Sequence, residues 1–373
     1  MTPSERLEQL MAEASVSLAN RSTATTENWS RLNAICQSQT NRACVRLLMA
    51  CLLAKLDRSD VDPRKPYTEI GTPDSFSGRG YDEQFITRFV QSHRLPCNPT
   101  TAFLTPVLRN INRPLTLDVK LIGKPRQLYA DTQILLHEVV EGSESANNLL
   151  LDIIRILVGM RDERLARLNQ LQAELSAGAD ALPLSAEATV ALIQQHMACK
   201  YSSRLPVLVV AAAYQAVAHQ IGERILPLQA HQAADEQAGA VGDIEITLEN
   251  DEQIRTIYEM KQKVVTLDDL DRAIQKISGL PNRIDNYVLI TTDRIEPAVR
   301  DYAAGLYETT GGIEFVVLDC LGFARHFLHL FHRRRAAFLD SYQSLVLDQP
   351  DSSVGLPLKE TFLALRRAAI VLE

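Results

Sequence analysis

The chain has 373 residues, 46% of them apolar and 23% charged, and a formal net charge of −7 at pH 7. That balance excludes a protein that coats nucleic acid by bulk charge, although basic residues gathered in one cleft still steer a polyanion. The length exceeds what one hydrophobic core usually needs, so two domains are expected: a helix-rich segment 1–180 and an α/β segment 186–373.

In chain order, SERLEQLMAEASVSLAN and ENWSRLNAICQSQTNRACVRLLMACLLAKL carry apolar residues at helical spacing. The start, MTPSERLEQLMAEAS, lacks a signal peptide's basic opening and apolar core, and no apolar stretch is long enough to span a bilayer. A cytoplasmic protein without membrane association is expected. DRSDVDPRKPYTEIGTPDSFSGRG is a break, DEQFITRFVQSHRL a helix opened by Asp82, and LPCNPTTAFLTPVLRNINRP an ordered loop with room for one short helix. ADTQILLHEVVEG and SANNLLLDIIRILVGMRDERLARLNQLQAELSA are helices; the second is a dimer arm or a bundle member. Residues 176–185 read as a linker.

The second half changes character. The helix AEATVALIQQHMACK is followed by LPVLVVAAAYQAVAHQIGERI, apolar nearly all round and therefore buried. GDIEITL and IRTIYEMKQKVV are strands around a polar turn. TLDDLDRAIQKISG is a helix with Thr266 as N-cap, NYVLITT a buried strand, IEPAVRDYAAGLYETT a helix and GIEFVVLD another buried strand. LGFARHFLHLFHRRRAAFLDSYQSLVL reads as one long terminal helix. The expected class is mixed α/β, a central sheet flanked by helices, with the helix-rich N-terminal domain beside it. The six cysteines (Cys36, Cys44, Cys51, Cys97, Cys199 and Cys320) show neither a C-x-x-C pair nor zinc-ligand spacing, and read as buried free thiols.

The chemistry gathers in the two hairpin strands. Side chains alternate along a strand, so Asp243, Glu245 and Thr247 share one face, as do Glu259, Lys261 and Lys263 on the next strand. Clustered carboxylates repel one another and stay ionised only beside a compensating cation. Magnesium, or manganese in its place, is a hard ion suited to oxygen ligands. A lysine two residues after a glutamate sits roughly 6–7 Å along the same face, within reach of a phosphate beside the metal. The pattern points to metal-assisted phosphodiester hydrolysis, with Lys263 as the reserve lysine. Glu223, placed at the end of the buried helix, is either a further ligand or a partner of Arg204 or Arg224. Glu245 is either a ligand or the partner of Lys263. His231 and Asp235 read as polar loop residues.

GDIEI followed by YEMK resembles the PD-(D/E)xK nuclease motif, with Asp243 as the first acid and Glu259 and Lys261 as the E-x-K. Gly242 stands where the usual proline would be. SRLPVLVVAAAYQAV, HQAADEQAGAVGDIEI and, upstream, LPCNPTTAFLTPVLRN resemble the SacI-type restriction endonucleases, a likeness covering residues 65–295. The resemblance implies a restriction-endonuclease-like core and a type II restriction enzyme: magnesium-dependent cleavage of both strands of a short double-stranded DNA site, usually by a homodimer. Asp243 and Glu259 would hold the metal, Glu223 or Glu245 would assist, and Lys261 would orient the water. A nuclease of repair or modification-dependent defence, and a non-cutting DNA-binding protein of the same fold, are the rival expectations.

SFSGRGYDEQFITRF and LPCNPTTAFLTPVLRNINR combine residue types that reach phosphates and base edges. The candidate DNA contacts are Arg79, Asn98, Thr100, Thr101, Arg109 and Asn110. The basic run His332-Arg333-Arg334-Arg335 is either a phosphate contact or a solvated helix face paired with Asp340. Its neighbours Phe323, Phe327, Leu328 and Phe331 read as core or dimer interface.

Overall fold

ACVRLLMACLLAKLD holds no glycine or proline and too little polar surface to face water. In the computed structural model it forms the helix Ala43–Asp57, with Cys44, Leu47, Leu48 and Cys51 fully buried. The structure describes residues 1–16, 24–38, 43–98, 101–177, 182–228 and 241–372. They make a mixed α/β protein of two units, Met1–Leu165 and Ala166–Glu373. The division falls inside the helix Ala146–Ala177, while the linker expected at 176–185 lies further along the chain.

In the first unit, helices Pro3–Val16, Thr26–Gln37 and Arg126–Glu141 pack on Ala43–Asp57. The helical run expected to open at Asp82 opens earlier, at Gly78, where the Ser77 side chain accepts from the Gly80 N–H. It widens into a π turn over Asp82–Ile86 and ends at Ser92. Asp82 is fully buried and forms an ion pair with the equally buried Arg46 at 2.7 Å. Arg46 also donates to the Asn98 carbonyl at 2.7 Å and to the Thr87 hydroxyl. Buried charges persist only where such bonds satisfy them.

In the second unit, helix Leu205–Ile221 takes Pro206 in its first turn and ends at Gly222 in the left-handed region, φ 65°. Five strands follow: β1 (Glu223–Ile225), β2 (Ile244–Leu248), β3 (Ile254–Lys261), β4 (Asn286–Thr291) and β5 (Glu314–Asp319). They form one sheet in sequential order. β1–β2 and β2–β3 are antiparallel; β3–β4 and β4–β5 are parallel. Parallel neighbours need crossovers, which helices Leu267–Ser278 and Pro297–Thr309 supply. Those helices bury Leu270, Ala273, Val299 and Ala303 against Ile257, Leu289 and Phe315 of the sheet.

The segment expected to be one terminal helix is two, Cys320–Leu330 and Arg335–Asp348, joined by a 3₁₀ turn at His332–Arg334. Phe331, at φ −107° and ψ 49°, leaves helical geometry just where four basic residues follow one another. A further helix, Leu356–Leu372, packs on Ala186–Met197. There His196 is fully buried, one ring nitrogen 3.0 Å from the Tyr342 hydroxyl and the other 3.0 Å from the Leu358 carbonyl. None of the six cysteines is in a disulfide: four are buried, while Cys97 and Cys199 are only half-buried. Among the described residues no helix is long and apolar enough to cross a membrane.

Candidate active site

Ile244 of β2 stands opposite Tyr258 of β3. Opposed residues share a face and successive residues alternate, so Tyr258 and Met260 point one way and Ile257, Glu259 and Lys261 the other. Asp243 precedes β2. Its N–H donates to the Tyr258 carbonyl at 2.9 Å, and its Oδ2 accepts from the Met260 N–H at 2.7 Å. The carboxylate therefore takes the place of the next backbone rung and ties the first acid to the residue between Glu259 and Lys261. Gly242 is required here: a Cβ on it would lie 2.4 Å from Ile257 Cγ2 and 2.8 Å from the Tyr258 carbonyl oxygen. The proline usual at this position would carry that atom.

Glu259 is held by the Lys261 ammonium and the Tyr287 hydroxyl, and Lys276 Nζ lies 3.3 Å from its Oε2. Burial pushes its pKa up, but the bonds to Lys261 and Tyr287 and the charges of Lys261 and Lys276 outweigh that, leaving the carboxyl below its ordinary value. Lys261 Nζ also lies 3.7 Å from Asp269 Oδ1, which pairs with Lys263 at 3.5 Å and Arg272 at 2.8 Å. Asp269 completes a capping box with Thr266, its Oδ2 accepting from the Thr266 N–H at 3.0 Å and hydroxyl at 2.9 Å. Burial opposes ionisation of Asp269; the Thr266 bonds and the two lysines overcome this and bring its pKa down to about 2.

The structure thus sets Asp243 beside the backbone of the Glu259–Lys261 segment, through its bonds to the Tyr258 carbonyl and the Met260 N–H. Glu245 shares the face of Ile257, yet its Oε1 accepts from the Val241 N–H at 2.7 Å, and Lys263 pairs with Asp269 instead. Glu223 is not at a helix end. Gly222 closes the helix, and Glu223 opens β1 opposite Leu248, on the sheet face of Tyr258 and away from Glu259. Burial raises the Glu223 pKa, opposed by a hydrogen bond from Tyr214. Arg204 is buried, which lowers its pKa, and the charge that counters this is Asp243, not Glu223. Sequence reasoning missed Tyr287, Lys276 and Asp269 as partners of the E-x-K. Only Asp269 carried a signal, three residues after the N-cap threonine.

The expected DNA contacts separate. Thr101 is 6% exposed; its hydroxyl donates to Asp82 and accepts from the Phe103 N–H, so it braces a turn in the interior. Asn98 is half-buried, with its carbonyl on Arg46. Arg79 is exposed and paired with Glu83 at 2.7 Å. Arg109 and Asn110 are exposed, Asn110 at φ 59°. Thr100, His231 and Asp235 lie outside the described residues.

Among the described residues no three His, Cys, Asp or Glu side chains converge to hold a metal ion. Asp243, just before β2, and Glu259, on β3, carry carboxylate oxygens, which suit a hard cation in kind. One Asp243 oxygen is already engaged, and two ammonium groups neutralise Glu259, so an ion would have to displace the lysines. Compared with known families and curated proteins, the sequence matches no family model and no curated protein.

Proposed function

We propose that this chain is a magnesium-dependent endonuclease that cuts both strands of double-stranded DNA at a specific site, a type II restriction enzyme with a restriction-endonuclease-like core. The observation that supports this best is the bond from the Met260 N–H to the Asp243 carboxylate, which sets an acid beside an E-x-K across adjacent strands. Asp243 and Glu259 would hold the ion. When bound, it would supply a Lewis acid for the phosphate and acidify a water. Tyr287 orients the Glu259 carboxylate by donating to it. Lys261, exchanged from Glu259 to the phosphate, offsets charge that develops on the non-bridging oxygens. Asp269 keeps Lys261 and Lys263 at the exit of β3. Arg79, Arg109 and Asn110 are the exposed candidates for DNA contact, and cutting both strands calls for a second copy of the chain.

A second reading rests on the neutralised state of Glu259: a DNA-binding protein of the same fold in which Glu259, Lys261 and Lys276 are a structural ion-pair network. Incubating the purified protein with long unmethylated DNA and magnesium or manganese, then sequencing the ends, separates the two. Discrete fragments with a shared end sequence are expected. Binding without cutting in either metal would transfer the assignment to the second reading.

A further inference from the structure

Helix Cys320–Leu330 and the residue after it align Phe323, His326, Phe327, Leu330 and Phe331 in one stripe, at the three- and four-residue spacing of a single helix face. This stripe meets Tyr214 of Leu205–Ile221 and Tyr258 of β3 around a largely apolar cavity of about 190 Å³. That is somewhat larger than the roughly 150 Å³ apolar cavity that holds a benzene ring, so it suits one base-sized ring system. Its polar lining groups are His326 and the two tyrosine hydroxyls, which bond each other at 2.9 Å. At the rim, Leu330 and Ile221 are exposed. Directly after Phe331 the chain turns through His332, Arg333 and Arg334, all exposed. Arg334 reaches the Gln220 side chain, next to the cavity residue Ile221. Among the described residues no carboxylate pairs with Arg333 or Arg334.

A ring-sized aromatic cavity, followed two residues after its lining Phe331 by exposed guanidinium groups that no described carboxylate pairs, is complementary to a planar base carrying an anion. We propose that this cavity is a nucleotide-binding site: the base enters among Phe323, Phe327, Phe331 and Tyr258, and the phosphate meets Arg333 and Arg334. The ligand is either a free mononucleotide or an unpaired base of a strand. The site lies on the sheet face of Tyr258, opposite that of Glu259, and does not depend on the nuclease reading.

Isothermal titration calorimetry in EDTA tests it without any cleavage, using dAMP, deoxyadenosine, inorganic phosphate and a short single-stranded oligodeoxynucleotide. dAMP, the oligonucleotide or both should bind, with deoxyadenosine and phosphate at least about fivefold weaker; which of the two binds identifies the source. Phe331→Ala should weaken binding about fivefold or more, and R333Q/R334Q, at exposed positions that leave the fold intact, should bring dAMP close to deoxyadenosine. Binding of neither nucleotide ligand, phosphate binding as tight as dAMP, or an unchanged affinity in the arginine double variant would overturn the proposal.

Discussion

Asp243 does two jobs with one carboxylate. Oδ2 closes the β2–β3 ladder at Met260, while its charge faces the buried Arg204. Asp243→Ala, Glu259→Ala and Lys261→Ala should each abolish magnesium-dependent cutting and leave DNA binding largely intact, checked by cleavage assay and electrophoretic shift. Unimpaired cutting by any one removes that residue from the mechanism. Gly242→Ala tests the close approach: its Cβ meets the buried Ile257 side chain and the Tyr258 carbonyl, and should cost about 1–3 kcal/mol in thermal melting. The alternation of charged and apolar residues in GDIEI and YEMK made Asp243, Glu259 and Lys261 legible. The ammonium of Lys276 and the hydroxyl of Tyr287 were not, because they arrive from a crossover helix and the next parallel strand, at distances in sequence that no local pattern encodes.

Among elements, helix Ala186–Met197 carries the titration with the clearest sign. Burial pushes His196 down to about 4 from 6.5, despite its hydrogen bond to the Leu358 carbonyl. A depressed histidine is neutral in the fold, so its contribution is intact above pH 6.5 and is lost as the pH falls toward 4, on the order of 3 kcal/mol. Denaturant titrations should show that limb in the unaltered protein. His196→Gln should be less stable at pH 7 but should lack most of the limb; an identical acid limb would exclude His196 as its source. Periodicity located most of these elements, and the errors have physical origins. Gly222, in the left-handed region, closes the buried helix, so Glu223 falls on β1 and not at the helix end that the apolar pattern suggests. The break after Phe331 falls at the basic run, within an apolar pattern that continues on both sides of it.

At the scale of the whole chain, the contrast between a helical first half and a strand-bearing second half was legible from the change of period. The division at Leu165 was not, since it falls inside one continuous helix with no turn or linker to mark it. Among the described residues the sheet ends on one side with β5, a six-residue strand paired only with β4. One row of its amide and carbonyl groups lacks a strand neighbour, and such a row is a template for intermolecular association. Glu314 and Asp319 stand exposed at its two ends. Their like charges make this border self-repelling toward another copy of itself. Glu314→Val, which leaves the Asp319 helix cap in place, should raise light scattering at constant protein concentration, and high salt should do the same to the unaltered chain in weaker form. The border of the sheet would thus hold one copy of the chain apart from the next.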